Sequence, residues 1–131
     1  MKILFIGSIA AVPQTLVASL RKRNIKVNQI CRKEENIFSV ELFVPDAKII
    51  SGRARNYILK ALLYARKFDV IHIHSLDLII PLLRLLYPKK KIVLTYHGTD
   101  IRSQWEKKKK YWKKANVVTV STIDLLDDAP E

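Results

Sequence analysis

A chain of 131 residues suffices for one domain and can bury roughly two-thirds of its unfolded surface without covalent staples. Its single cysteine, Cys31, excludes an internal disulfide framework and a cysteine-based zinc site, agrees with a reducing cytoplasm, and reads as an inert thiol. Lys and Arg number 24 against 12 Asp and Glu, a formal net charge of +12, so the chain attracts anions.

The amino terminus has one basic residue, a short apolar run and small residues, as a weak secretory leader would. A strand-turn-helix reading explains it better. Ile3 to Ile6 makes a compact strand, Gly7-Ser8 a turn, and Pro13 fits the first turn of a helix, where its missing N–H costs nothing. That helix is expected to bury Leu16, Val17 and Leu20 and to leave Arg21, Lys22 and Arg23 outside. Ile25 to Ile30 reads as a second strand. From Cys31 to Ser51 the pattern is less regular: Phe38, Val40, Leu42 and Val44 alternate as in an edge strand that ends at Pro45-Asp46, with a surface insertion as the alternative.

Arg53 to Phe68 reads as a helix with Ala54, Ile58, Ala61, Leu62 and Ala65 on its core side, and Asp69 to His74 as a strand. Leu76 to Tyr87 is apolar almost all round, yet it is too short for a bilayer, holds Arg84 and is broken by Pro81, so a buried helix is expected. Lys91 to Tyr96 follows as a strand, Trp105 to Ala115 as a helix and Asn116 to Val120 as a last strand. Strands alternating with helices imply an α/β fold with right-handed crossovers and a mainly parallel sheet covered on both faces.

Basic residues cluster at Arg21 to Lys26, Arg53 to Lys67, Lys89 to Lys91 and Lys107 to Lys114, the last block interleaved with Trp105, Tyr111 and Trp112. Basic plus aromatic residues suit nucleic acid or an anionic membrane surface. Helical spacing of Ile101, Trp105, Trp112 and Ala115 favours a core role for the tryptophans, with Lys108 snorkelling from the same stripe. The other lysines suit a solvated face, and lysine richness also accompanies heat adaptation. Zinc spacing, a recognition helix and an RNA-binding aromatic signature are all missing, so a membrane phospholipid is the better anionic partner and nucleic acid the poorer.

The polar residues that follow strand ends carry the functional signal. In Lys91 to Arg102 a β-branched run ends in Tyr96-His97-Gly98-Thr99-Asp100, and the carboxyl ends of parallel strands are where open α/β sheets hold ligands. A neutral His97 could hydrogen-bond a ligand there, with Gly98 permitting close approach of backbone. Asp100 could receive a hydroxyl or cap the helix that follows, and both readings stay open. His72 and His74 point to one face of their strand; His72 reads as a satisfied buried histidine and His74 with Ser75 as cleft-edge residues. No third ligand joins the two histidines for a metal. Gly7 and Ser8 precede a helix amino terminus, which suits a diphosphate, although a single glycine there makes a poor cradle. No G-x-G-x-x-G or P-loop lysine is present, so no cofactor is expected. The acidic cluster of a receiver-like domain is also missing after the first strand.

Taken together, Asp69-Val70-Ile71-His72-Ile73-His74-Ser75, Thr95-Tyr96-His97-Gly98-Thr99-Asp100 and Val118-Thr119-Val120-Ser121-Thr122 resemble, in order and spacing, the amino-terminal half of family 4 glycosyltransferases of GT-B architecture. The resemblance spans essentially the whole chain. It implies a three-layer Rossmann-like domain on the acceptor side of a retaining transferase, with a nucleotide-sugar donor gripped mainly by a second domain that this stretch does not contain. Alone, such a domain is expected not to transfer sugar. By the same resemblance His97 lies beside the donor sugar, with Asp100 as its catalytic companion, and Gly7, Ser8, His74, Ser75, Gly98, Thr99 and Ser121 as substrate-binding residues. The implied acceptor is a sugar or a lipid-linked group, and the implied location is cytoplasmic, peripheral at the inner face of the membrane. The rival reading is a non-catalytic basic α/β module that docks onto an anionic membrane or nucleic acid.

Overall fold

The computed structural model describes residues 1–131. Six strands, β1 (Lys2–Ile6), β2 (Lys26–Arg32), β3 (Lys48–Ile50), β4 (Val70–His74), β5 (Lys91–Tyr96) and β6 (Val117–Val120), form one sheet in the order β3-β2-β1-β4-β5-β6. Every neighbouring pair is parallel, so the mainly parallel sheet expected from sequence is wholly so. The helices are α1 (Val12–Lys22), α2 (Ala54–Ala65), α3 (Ile80–Leu86) and the single turn α4 (Lys109–Trp112). This is a Rossmann-like α/β arrangement whose strand order reverses between β1 and β4.

Alternation along the strands sorts their side chains into two faces. Leu4, Ile6, Ile30, Ile71, Ile73, Ile92, Leu94 and Tyr96 form the larger core with Tyr57, Ala61, Leu62 and Ala65 of α2 and with Ile79, Ile80 and Leu83 at α3. Each fully buried Leu or Ile there contributes about 1.5–3 kcal/mol through removal of apolar surface from water. On the opposite face α1 covers only the β1–β2 side, where Phe5, Val17, Val27 and Cys31 pack with Val40 and Val44. Burial pushes the Cys31 thiol up to about 11, which leaves it an inert packing group. Beyond α1 this face turns polar. His72, Thr95 and Thr119 share a run of bonds there, and Val117 is half exposed, so the expected covering of both faces is incomplete over β5 and β6.

Several local expectations are corrected. The alternating Phe38–Val44 segment is no strand: Ser39 adopts left-handed backbone, Val40–Leu42 forms a 3-10 turn, and the Val44 N–H donates to the Val40 carbonyl at 2.8 Å. Val40 and Val44 are thereby buried one turn apart, while the edge strand is β3. In α1 Leu16 is exposed and Gln14 buried, and in α2 Tyr57 fills the core where Ala54 was expected. The helix expected at Trp105–Ala115 is mostly a series of turns, and only α4 within it is α-helical. The tryptophans are nonetheless core groups: Trp105 Nε1 donates to the Leu125 carbonyl at 3.0 Å and Trp112 Nε1 to the Trp105 carbonyl at 2.7 Å. Pro81 opens α3 rather than breaking it, and Leu78, Leu82, Leu85 and Leu86 are exposed rather than buried.

The turn that leads into α3 carries a buried charge. Asp77 is 4 % exposed; its Oδ2 accepts the Tyr96 hydroxyl at 2.7 Å and lies 3.2 Å from Lys108 Nζ, the side chain expected to snorkel. These contacts tie α3, the end of β5 and the lysine-rich turn together. Removing one member of such a group strands the others in a poorly solvated place. Asp77→Ala is therefore expected to lower the unfolding free energy by about 3 kcal/mol in urea titration, and a loss below about 1 kcal/mol would contradict this role.

Candidate functional site

The rim at the carboxyl ends of β1, β4 and β5 assembles around one close approach. Gly7 has a φ of 113°, and a Cβ built on it would lie 3.1 Å from the His74 carbonyl oxygen and 3.3 Å from the His74 Cβ. Only glycine meets both conditions at the point where β1 and β4 part. The Gly7 N–H donates to the Ile30 carbonyl at 3.0 Å, and its carbonyl accepts from Gln29 Nε2 at 2.7 Å. Ser8 is buried and its hydroxyl donates to the Glu35 carbonyl at 2.9 Å. The chain then makes a 3-10 turn over Ile9–Ala11, with Ala10 and Ala11 in left-handed backbone, before α1 starts at Val12. Gly7 and Ser8 thus do not abut the helix amino terminus as expected. The Gly7 N–H and the Ser8 hydroxyl are engaged within the chain.

After β4, Ser75 also takes left-handed backbone, its N–H donating to the Thr95 carbonyl at 3.0 Å and its hydroxyl to Asp100 Oδ2. After β5, the same Asp100 carboxylate accepts the His97 N–H at 3.0 Å and the Gly98 N–H at 2.7 Å. The Asp100 carboxylate does not cap a following helix, one of the two readings left open for it: its bonds run back to the N–H groups of His97 and Gly98, so it folds the H-G-T-D turn and clamps it to the β4 loop. Ser121 completes the support from β6, its hydroxyl donating to the His97 carbonyl at 3.0 Å. Thr99 is exposed at the tip, and a Cβ on Gly98 would meet nothing within 4 Å, so the backbone there is open to a ligand.

His97 is half-buried in the middle of this frame. Its Nε2 lies 2.9 Å from Nδ1 of the buried His74, and the two rings stack with centroids 5.1 Å apart. His74 stacks in turn on His72 at 4.4 Å, and His72 Nε2 meets Thr95 Oγ1 at 2.8 Å. The two strand histidines share a face as expected, yet their bonded nitrogens serve different partners and do not converge on a metal position. His72 is satisfied, as expected, and His74 is buried behind His97, which it supports.

Burial pushes the His72 imidazole down to about 4 and, with neighbouring histidines adding to the effect, His74 down to about 2. Burial also holds His97 below its ordinary value, partly offset by the Asp100 carboxylate. All three are neutral near pH 7. The His74–His97 contact then contains one proton, which fixes the His97 tautomer. If His74 donates, Nδ1 of His97 carries a proton toward its surroundings; if His97 donates, that nitrogen accepts.

A cleft of about 300 Å³ opens beside His97, walled by Ile9, Ala10, Ser75, Gly98, Thr99 and Asp100. A smaller recess of about 170 Å³ adjoins it, lined by Gly7, Glu35, Tyr57, His74 and Leu76 among others. Ile9, Ala10, Glu35 and Tyr57 were not legible as site residues. Ile9 and Ala10 reach the rim only because the chain makes an extra turn before α1, and Glu35 and Tyr57 arrive from distant segments. Ser121 is in the supporting frame and does not line the cleft.

Two measurements bear on this geometry. Gly7→Ala combines a disfavoured backbone region with a clash at His74, and it should cost about 1–3 kcal/mol of stability and lower the melting temperature accordingly. The histidines should make stability depend on acidity. Below the ordinary value of 6.5 and down to about 4 the unfolded chain takes up protons that folded His72 and His74 refuse, so stability is full above that window and is lost as pH falls through it. The slope reaches up to about 1.4 kcal/mol per pH unit for each histidine. Urea unfolding at a series of pH values should show this slope, and the paired change His72→Asn, His74→Asn should flatten it; a wild-type profile without slope would contradict buried neutral imidazoles.

No helix of the chain is long and apolar enough to cross a membrane. No curated protein matches the chain. Among solved structures, the TubZ protein of Clostridium botulinum phage c-st is similar in fold, with a TM-score of 0.61 at 14% identity. That match covers 92% of this chain and 52% of the other, so the chain spans about half the length of the protein it resembles. The sequence model of Glycosyltransferase Family 4 matches residues 9–124, which include the β4 histidines, the H-G-T-D turn and Ser121. The chain belongs to Glycosyltransferase Family 4.

Proposed function

We propose that this glycosyltransferase-type domain is the acceptor-side half of a GT-B enzyme that transfers a sugar, with retention, from a nucleotide-sugar to a sugar or lipid-linked acceptor. One observation carries the reading: the loops after β1, β4 and β5 meet around a 300 Å³ cleft with His97 in its wall. In a single parallel sheet this rim is the place where ligands bind, and a cleft that stays open on one side suits closure by a second, donor-binding domain.

In this reading the chain's residues divide into one group that touches substrate and several that position it. His97, neutral and held in one tautomer by His74, donates or accepts a hydrogen bond at the donor sugar or the departing diphosphate. A preoriented imidazole of this kind costs no reorganisation when charge develops on the leaving group. Asp100, Ser75 and Ser121 act through the H-G-T-D turn, holding the His97 backbone from both sides. Open backbone at Gly98 and Thr99 admits the acceptor. The nucleotide-sugar is held mostly by the second domain, and the domain acts in the cytoplasm, at the inner face of the membrane when its acceptor is lipid-linked.

His97→Ala, assayed by sugar transfer from labelled nucleotide-sugar with the donor-binding domain present, should lower kcat roughly 10²-fold, the scale of losing one preoriented hydrogen bond to a transition state. Circular dichroism and melting should change little. Transfer within a factor of about two of wild type would remove His97 from the reaction. Robust transfer by residues 1–131 alone would overturn the division of labour between two domains.

A further inference from the structure

Positive charge covers much of this chain but stops at the rim. Lys and Arg number 24, yet none of them lines the His97 cleft or the recess beside it. The other cavities are all basic: Lys48, Lys60 and Lys67 wall the groove between β3 and α2, Arg53 and Arg55 a second, and Lys89 and Lys90 a third. With the histidines neutral, the only charged side chains at the rim are carboxylates, Asp100 in the cleft and Glu35 in the recess. An anion therefore meets attraction over most of the surface and repulsion at this opening.

The two carboxylates differ in what they already hold. Asp100 is occupied by the N–H groups of His97 and Gly98 and by the Ser75 hydroxyl. Glu35 is free: its carboxylate forms no ion pair and accepts no hydrogen bond within the chain. Arg32, the cation whose field reaches it, is tied instead to the Glu34 carboxylate at 3.2 Å and to the Gly52 carbonyl at 3.0 Å. The main chain of Glu35 is anchored where the Ser8 hydroxyl donates to its carbonyl at 2.9 Å, so the free side chain has a fixed root at the recess. Tyr57 stands in the same wall, its hydroxyl donating to the Ile30 carbonyl at 3.4 Å and keeping its own lone pairs. Ile9 and Ser75 line both cavities, which makes the recess an extension of the His97 cleft.

We infer that this recess selects the acceptor, that Glu35 is its specificity-determining residue, and that the acceptor group it receives is an uncharged polyol, a sugar without phosphate. The inference rests on the acceptor-side reading of the cleft. An ionised carboxylate offers lone pairs only, so it favours a guest rich in hydroxyl donors, and its two oxygens can accept two adjacent hydroxyls at once. A phosphate in the same place would face that carboxylate with no cation to neutralise either group, which is a repulsive element set against the wrong partner. At about 170 Å³ the recess is smaller than the pockets that take drug-sized ligands, as suits a single sugar ring. An ammonium guest would pair with Glu35 but is repelled at a distance by a chain of formal net charge +12.

Amide chemical shifts of the whole chain, followed at Gly7, Glu35 and Leu76 during titration, test this. At least one of glucose, galactose, mannose and N-acetylglucosamine should move these signals at millimolar concentration, and the phosphate ester of the same sugar should bind there about tenfold more weakly. The ester is expected to move signals near Lys60 and Arg53 instead, where the cations are. Glu35→Gln should weaken the neutral sugar about fivefold or more, and Glu35→Lys should reverse the preference in favour of the ester. Glu35 is exposed, and unchanged amide signals in the sheet would confirm that both variants fold. No response to any of the four sugars, equal or tighter binding of the ester or of ethanolamine at the recess, or a Glu35→Gln variant within about twofold of wild type would each overturn the proposal. With the donor-binding domain present, transfer that needs His97 but prefers a phosphorylated acceptor would keep the transferase reading and sink this one; Glu35-dependent sugar binding with transfer indifferent to His97→Ala would do the reverse.

Discussion

Everything at the rim depends on how closely β1 can approach β4. The sheet reverses its strand order between these two strands, so the chain leaving β1 must turn one way and the chain leaving β4 the other. Gly7 makes the separation possible by passing over the His74 carbonyl with no side chain, in a backbone region that other residues resist. Its polar groups are tied to β2 through Ile30 and Gln29, so the turn is fixed as well as tight. The loops after β1 and β4 then diverge from a common base, and the turn after β5 can lean toward the opening.

Histidine in a parallel sheet needs a physical explanation, since such strands usually read as unbroken apolar runs. The face that carries His72 and His74 supplies one. Under α1 it is apolar, but over β4 to β6 it loses its covering helix and becomes a ladder of rings and hydroxyls: His72, Thr95 and Thr119 bonded in sequence, and His74 stacked between His72 and His97. Neutral imidazoles suit this half-covered place because they stack like apolar rings and still satisfy neighbouring hydroxyls. The stack ends at His97, so the orientation of the one imidazole in the cleft wall is set by two rings that never reach the ligand.

The sequence was most legible where one residue type served one purpose. A β-branched run that ends in H-G-T-D announced β5 and the turn after it, and the compact apolar run from Ile3 to Ile6 announced β1. It was least legible where a single backbone angle decided the outcome. Ser39 looks like an ordinary polar residue, yet its left-handed conformation turns an apparent strand into a 3-10 turn. Apolar spacing still identified the buried tryptophans, because burial depends on where a side chain ends up and not on the hydrogen-bond pattern of its backbone. The partners of Asp100 could not be chosen in advance, since a carboxylate that caps a following helix and one that folds back on its own turn have the same spelling; three hydrogen bonds within the rim show the second.

Asp77 joins the turn before α3 to the end of β5 mechanically. It stands in the turn that leads into α3, whose outer leucines belong to the exposed helical face, and its carboxylate holds the Tyr96 hydroxyl one residue before His97. Burial, together with the adjacent carboxylate, pushes the Tyr96 phenol upward, so it remains a proton donor in this bond. Lys108 closes the group from the lysine-rich turn and hangs over the Tyr96 ring, its ammonium 5.6 Å from the ring centre. A load on α3 is therefore borne by a buried hydrogen bond at the foot of the H-G-T-D turn rather than by a flexible loop. With the helix and the strand end held as one body, any surface that fixes the direction of α2 and α3 also fixes the direction in which the His97 cleft opens.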